Sequence, residues 1–139
     1  MKVDVNWLSK DLHMEAGNEE GGKIRMDGNT SIGGLEGGLS PFQLLLAGIG
    51  GCSAVDVISI LEKQKQELNS LRVEVDADKQ KVDGSYSEFK SIHMHFILSG
   101  NLDEKKVQRA LDLSITKYCS VSKALEKGSE ISYDFSIEN

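Results

Sequence analysis

Two thiols, Cys52 and Cys119, are the side chains in this sequence best suited to covalent chemistry. A cysteine reacts as its thiolate, and a helix N-terminus or a nearby cation favours that form. Cys52 follows Gly48, Gly50 and Gly51 inside a long apolar run. If those glycines break the run and restart a helix, Cys52 stands at a positive dipole end. Asp56 lies one turn further on, on the same helical face, and a carboxylate there disfavours a thiolate. Cys119 falls between two helical stretches with Lys117 and Lys123 nearby, a setting that suits a lowered pKa or an accessible resolving thiol. For both cysteines the plain alternative is a small buried packing residue. A sulfenic acid formed at Cys52 would need a second thiol close by to trap it as a disulfide.

Other constellations are weaker. His93 and His95 sit two apart on one strand face, and His13 is on another strand. No third and fourth ligand accompanies them, so they read as an outward polar face and no metal is expected. The pair Glu19–Glu20 reads as solvated loop charge. The glycine-rich stretch 27–39 precedes a helix, where an anion can bind. It contains neither phosphate-loop motif, so it reads as a surface loop.

The apolar run 41–61 is what must position Cys52. Ser40, Pro41 and Gln43 form a helix start of the Ser-x-x-Gln capping-box type, with proline where its missing N–H costs nothing. The pattern predicts a helix over about 41–68 that is apolar nearly all round and therefore buried. Each interior glycine costs about 1 kcal/mol relative to alanine, so close approach of another backbone is expected there.

Before this helix, residues 2–7, 11–16 and 23–26 alternate or are short enough to form a three-stranded meander, with Ser9–Lys10 as its first turn. After it, 71–77 and 89–98 alternate as strands joined through Asp83–Gly84. A helix from about 103 to 117 is capped by Asn101 or Asp103 and carries the stripe Val107, Ala110, Leu111 and Ile115. A second short helix ends at Gly128, and 131–137 form a last strand. The order β-β-β-α-β-β-α-α-β predicts an α+β fold with mainly antiparallel sheet, in one domain spanning 1–139.

At 139 residues the chain can build a real core. Its net charge of −6, with no basic stripe, argues against nucleic acid. Asp56 and Gln43 interrupt the long apolar run, which argues against a membrane span. Met1–Asn6 has no apolar signal core, so a reduced, cytoplasmic setting is expected.

The stretch Ser40-Pro41-x-Gln-Leu-Leu-Leu-Ala-Gly-x-Gly-Gly-Cys52, followed by Asp56-Val57-x-x-Ile60-Leu61-x-Lys63 and by Ser114-x-x-Lys117-Tyr118-Cys119-Ser120-Val121, resembles the OsmC/Ohr family of thiol-dependent peroxidases and their OsmC-like relatives. The element order fits that family along nearly the whole chain. The resemblance implies an intertwined homodimer with long central helices, to which the N-terminal meander contributes, and active sites at the subunit interface. It implies that Cys52 is the peroxidatic thiol and Cys119 the resolving one. It also implies an organic hydroperoxide substrate, a dithiol or lipoyl reductant and no resident cofactor.

The well-studied peroxidase branches carry a glutamate after the motif proline and an activating arginine from the N-terminal hairpin. Here Phe42 takes the first position. Lys10 in the turn and Arg25 are the candidates for the second, with Gln43 and Asp56 as further pocket residues. This pattern is that of the less characterised OsmC-like branch, and Phe42 would make the pocket more apolar. Two other functions fit the same residues: a dimer that binds an apolar or acyl ligand without turnover, and a redox sensor whose disulfide alters a partner interface.

Overall fold

The computed structural model describes residues 1–8, 12–28 and 38–138. The turn at Ser9–Lys10, Lys10 itself and most of the glycine-rich loop lie outside the described residues. The chain forms two compact units, Met1–Leu45 and Leu46–Asn139.

In the first unit, β1 (Val3–Trp7), β2 (His13–Asn18) and β3 (Lys23–Asp27) pair antiparallel in that order, the predicted meander. The β1 side chains Val3, Val5 and Trp7 alternate as predicted and all are exposed. Helix α1 (Pro41–Lys63) starts in this unit with the predicted box. The Gln43 N–H donates to Ser40 Oγ at 3.1 Å, and the Ser40 N–H donates to Gln43 Oε1 at 2.9 Å.

The second unit holds a sheet ordered β4 (Glu67–Lys81), β5 (Ser87–Asn101) and β6 (Glu130–Glu138). β4 and β5 form a long antiparallel hairpin. Its turn uses Asp83 and Gly84 at φ of 50° and 70°, two successive positive values that match strand twist. The strands run well past 71–77 and 89–98 into ends that are mostly polar, which hides them from hydrophobic alternation. β6 pairs parallel to β5, so the chain between them must cross over. The crossover carries α2 (Glu104–Leu113), a π-helical turn (Ser114–Tyr118) and α3 (Ser120–Leu125). Asp103 caps α2, accepting from the Lys105 N–H at 2.8 Å.

α1 ends earlier than expected. The Gln66 N–H reaches Leu61 O and the Lys65 N–H reaches Glu62 O, the two bonds of a Schellman stop. Lys65 takes the left-handed position at φ 58°, where glycine is the usual signal. By length and composition α1 is apolar enough to cross a membrane, with a mean hydropathy of 2.0 over its most apolar 18-residue stretch. Its residues Ile49, Ser53, Val57 and Leu61, spaced by four, are instead fully buried within the unit. A Cβ on Gly50 would lie 3.0 Å from Val75 Cγ2, so this glycine admits β4 against the helix. The close neighbour is a strand side chain, not the backbone expected from the glycines. A Cβ on Gly51 meets nothing within 4 Å. The helix is also not buried all round, since Val55 is 67% and Ile58 46% exposed on the opposite face.

The core of this unit comprises those helix residues, Ile92, Met94, Phe96 and Leu98 of β5, and Val107, Ala110, Leu111 and Ile115 of the crossover. At its margin the Tyr133 hydroxyl donates to Asp112 Oδ1 at 2.7 Å, and Gln108 Nε2 donates to the same oxygen at 2.9 Å. Burial, reinforced by Asp112, pushes the Tyr133 phenol from 10.0 up to about 12. The folded phenol therefore keeps its proton to higher pH than the unfolded one. Its contribution to stability is intact below pH 10 and is lost as pH rises towards about 12. Ultraviolet titration should resolve a late phenol that disappears in Tyr133→Phe.

Candidate active site

The fold brings the two thiols together. Cys52 lies in the middle of an unbroken α1, so the expected helix restart and its positive dipole end are absent. Its half-buried thiol projects from the helix one residue before the buried Ser53. Cys119 is fully buried and caps α3, its Sγ accepting from the Ser122 N–H at 3.4 Å.

A π-helical turn sets Cys119 in place. The Cys119 N–H donates to Ser114 O at 2.6 Å, closing a loop one residue wider than an α-turn. Ser114 also fastens this turn to α1. Its buried hydroxyl lies 3.0 Å from Ser53 O and 3.3 Å from Asp56 Oδ2, and its single proton is shared between these two acceptors. As a result the Cys52 sulfur, the Cys119 sulfur and an Asp56 carboxylate oxygen all lie within 4.8 Å of one another. Both cysteines are free thiols. Burial pushes the Cys119 thiol up; Ser122 pulls it down, its N–H donating to the sulfur, and the neighbouring Cys52 thiol raises it further. The net direction is upward, because burial dominates, so the lowered pKa or accessible thiol expected beside Lys117 and Lys123 is not what the fold provides.

The fold that carries this thiol pair is shared with proteins already known. A family model described as OsmC-like protein matches residues 33–134. The chain belongs to the OsmC-like family. It is 35% identical to Protein YhfA of Escherichia coli over 138 residues, covering 99% of this chain and 98% of that protein. Among solved structures, the OsmC-like protein from Mycoplasma pneumoniae superposes with a TM-score of 0.82 at 17% identity, covering 100% of this chain and 99% of that one. An organic hydroperoxide resistance protein, OsmC, from Legionella pneumophila superposes with a TM-score of 0.73 at 15% identity, covering 97% and 95%. At such identities the last two likenesses speak for the fold.

The other predicted site residues of this OsmC-like chain fall in the first unit. Phe42 is half-buried in the first turn of α1. Gln43 is exposed, and its side-chain oxygen is engaged by the cap at Ser40. Arg25 is an exposed β3 residue 4.0 Å from Glu15 Oε2. Lys10 lies outside the described residues. Of the predicted set, the second unit gathers Cys52, Cys119 and Asp56.

Ser114, Ser53 and Ser122 were not legible as site residues. Serines on helices carry no spacing signal, and their roles arise from the π-turn and from contacts across the crossover. His93 and His95 form the predicted polar face. Both rings bond to Asp134 Oδ1, at 3.1 and 2.6 Å, and His93 Nδ1 lies 2.7 Å from Ser132 Oγ. Asp134 is held below the usual carboxylate range chiefly by its bond to His95, with His93 adding to it.

Proposed function

We propose that this OsmC-like protein is a thiol-dependent peroxidase that reduces organic hydroperoxides. The observation that supports the reading is the placement of the half-buried Cys52 sulfur within 4.8 Å of the buried Cys119 sulfur. The Cys52 thiolate attacks one oxygen of the O–O bond. The alcohol leaves with a proton, and Cys52 becomes a sulfenic acid. The Cys119 thiolate then attacks that sulfur, hydroxide leaves as water and a disulfide forms. An external dithiol, small or lipoyl-bound, returns both sulfurs to thiols by exchange, and no resident cofactor takes part.

The active form in this reading is a homodimer. The exposed strip of Gly51, Val55 and Ile58 on α1 offers an apolar, small-residue seam for a second central helix. The exposed β1 residues Val3, Val5 and Trp7 offer further apolar surface from the meander. Such an assembly, working in a reduced cytoplasm, would serve defence against peroxides.

The test is direct. Reduced protein is mixed with one equivalent of cumene hydroperoxide and its free thiols are counted. Rapid loss of both thiols supports the reading. Intact thiols after minutes would sink it and favour a ligand-binding dimer.

The second step carries a pH signature. Because the Cys119 thiol is shifted upward, mainly by burial, few of these thiols are ionised at neutral pH. Resolution should therefore accelerate by about tenfold per pH unit until the thiolate form dominates. At neutral pH the Cys52 sulfenic acid should persist long enough for dimedone to trap it, and the trapped fraction should fall as pH rises. Stopped-flow kinetics with mass spectrometry measures both.

A further inference from the structure

We propose that Cys52, Asp56 and Cys119 form a three-ligand site for a borderline-soft divalent cation of the zinc class, bound when both thiols are reduced. The donor set is two sulfurs and one carboxylate oxygen, all within 4.8 Å of one another. On a tetrahedral Zn²⁺ with bonds of about 2.3 Å to sulfur, two thiolates stand about 3.8 Å apart, and an oxygen stands slightly closer to each. The three atoms thus need to close by about 1.3 Å at most to meet one ion. Thiolate sulfur selects this class over magnesium or calcium, which prefer all-oxygen shells.

The supporting contacts of a metal site are also in place. The Ser114 hydroxyl donates to Asp56 Oδ2 at 3.3 Å, which aims the carboxylate. The Ser122 N–H donates to the Cys119 sulfur at 3.4 Å. Asp56 also lines a cavity of about 420 Å³ together with Ile60, Lys63 and Tyr118, so one of the three ligands faces open space. With three protein ligands, the fourth position is left to water. Binding releases the two thiol protons to solvent and leaves the centre with a net charge of −1, since two thiolates and one carboxylate surround a dication. The sequence reading expected no metal because it sought ligands among the histidines. The proposal is independent of peroxidase activity.

The test uses the reduced, full-length protein without any peroxide. Equilibrium dialysis with Zn²⁺ should give one ion per chain. Co²⁺ in its place should show tetrahedral d–d bands and an intense near-ultraviolet sulfur-to-metal band. Zn²⁺ should also protect the half-buried Cys52 thiol from iodoacetamide. Asp56→Asn should weaken affinity at least tenfold, and Ser114→Ala by about 10- to 100-fold. The double variant His93→Ala/His95→Ala should leave the Co²⁺ spectrum unchanged.

A Co²⁺ spectrum without the sulfur band would overturn the site. So would Zn²⁺ that fails to slow alkylation, or binding lost in the histidine variant. These readouts use intact wild-type protein or surface changes, so they stand even if a cysteine variant fails to fold. Peroxide-driven thiol loss without Zn²⁺ binding would leave the peroxidase reading standing alone.

Discussion

Cys52→Ser is expected to abolish peroxide-driven thiol loss, while Cys119→Ser halts it after the first step. A serine hydroxyl is a far weaker acid and nucleophile than a thiol, so nothing at position 52 would attack the O–O bond and reduction would fall to the uncatalysed background. The remaining thiol cannot substitute, because Cys119 is fully buried and its pKa is shifted upward, chiefly by that burial. In Cys119→Ser the first thiol still reacts. The product is then a lasting Cys52 sulfenic acid, open to further oxidation. Thiol titration separates the cases: both thiols lost in the wild type, none in the first variant and one in the second. Equal loss in all three proteins would mean that the thiols are oxidised as bystanders. Serine at either position changes little volume, so circular dichroism should match the wild type in both.

The second large effect is expected on assembly. Val55→Asp, or Ile58→Asp, should convert the proposed dimer to monomer. Val55 is 67% exposed and Ile58 46%, so a single chain tolerates a charge at either position. At a dimer seam the same carboxylate would be dehydrated without a partner, and by symmetry it would meet its own copy. Leaving an uncompensated charge in such a place costs about 3–5 kcal/mol. That weakens association by about two to three orders of magnitude or more, at 1.4 kcal/mol per decade. Sedimentation equilibrium should show a mass of 30.4 kDa, twice the 15.2 kDa of one chain, for the wild type and of one chain for the variants. A wild type that sediments as a single chain would refute the dimer.

The contrast between readable and unreadable elements has physical causes. The capping box at Ser40 and Gln43, the Asp83–Gly84 turn, and the alternation from Ile131 to Ile137 follow from bonds and contacts between near neighbours. They could therefore be read directly. The stop of α1 could not, because Lys65 takes a left-handed conformation costing about 1–2 kcal/mol that nothing in its composition announces. The ends of β4 and β5 were hidden because their side chains alternate only where the sheet is covered.

The site divides in the same way. The cysteines stood out by residue type, and the family resemblance paired them. The role of Asp56 stayed open because its partner Ser114 is distant in sequence and is presented by a π-turn. That turn breaks the three- and four-residue spacing on which helix reading depends. The helix restart expected near Cys52 failed for a related reason. Gly50 serves the packing of β4 against α1, and the helix continues through it.

The parallel pairing of β5 with β6 has a consequence for the order of folding. The β4–β5 hairpin closes over a short turn and can form early, whereas β6 can join only after the whole crossover has been ordered. Cys119 travels on that crossover. A chain emerging from synthesis or refolding therefore displays Cys52 beside a finished hairpin before its companion thiol arrives. If Cys52 is the proposed nucleophile, it lacks its resolving partner for that interval, and a sulfenic acid formed then would have only foreign thiols to meet. The speed of crossover closure thus sets how often a newborn molecule is captured as a mixed disulfide before it is complete.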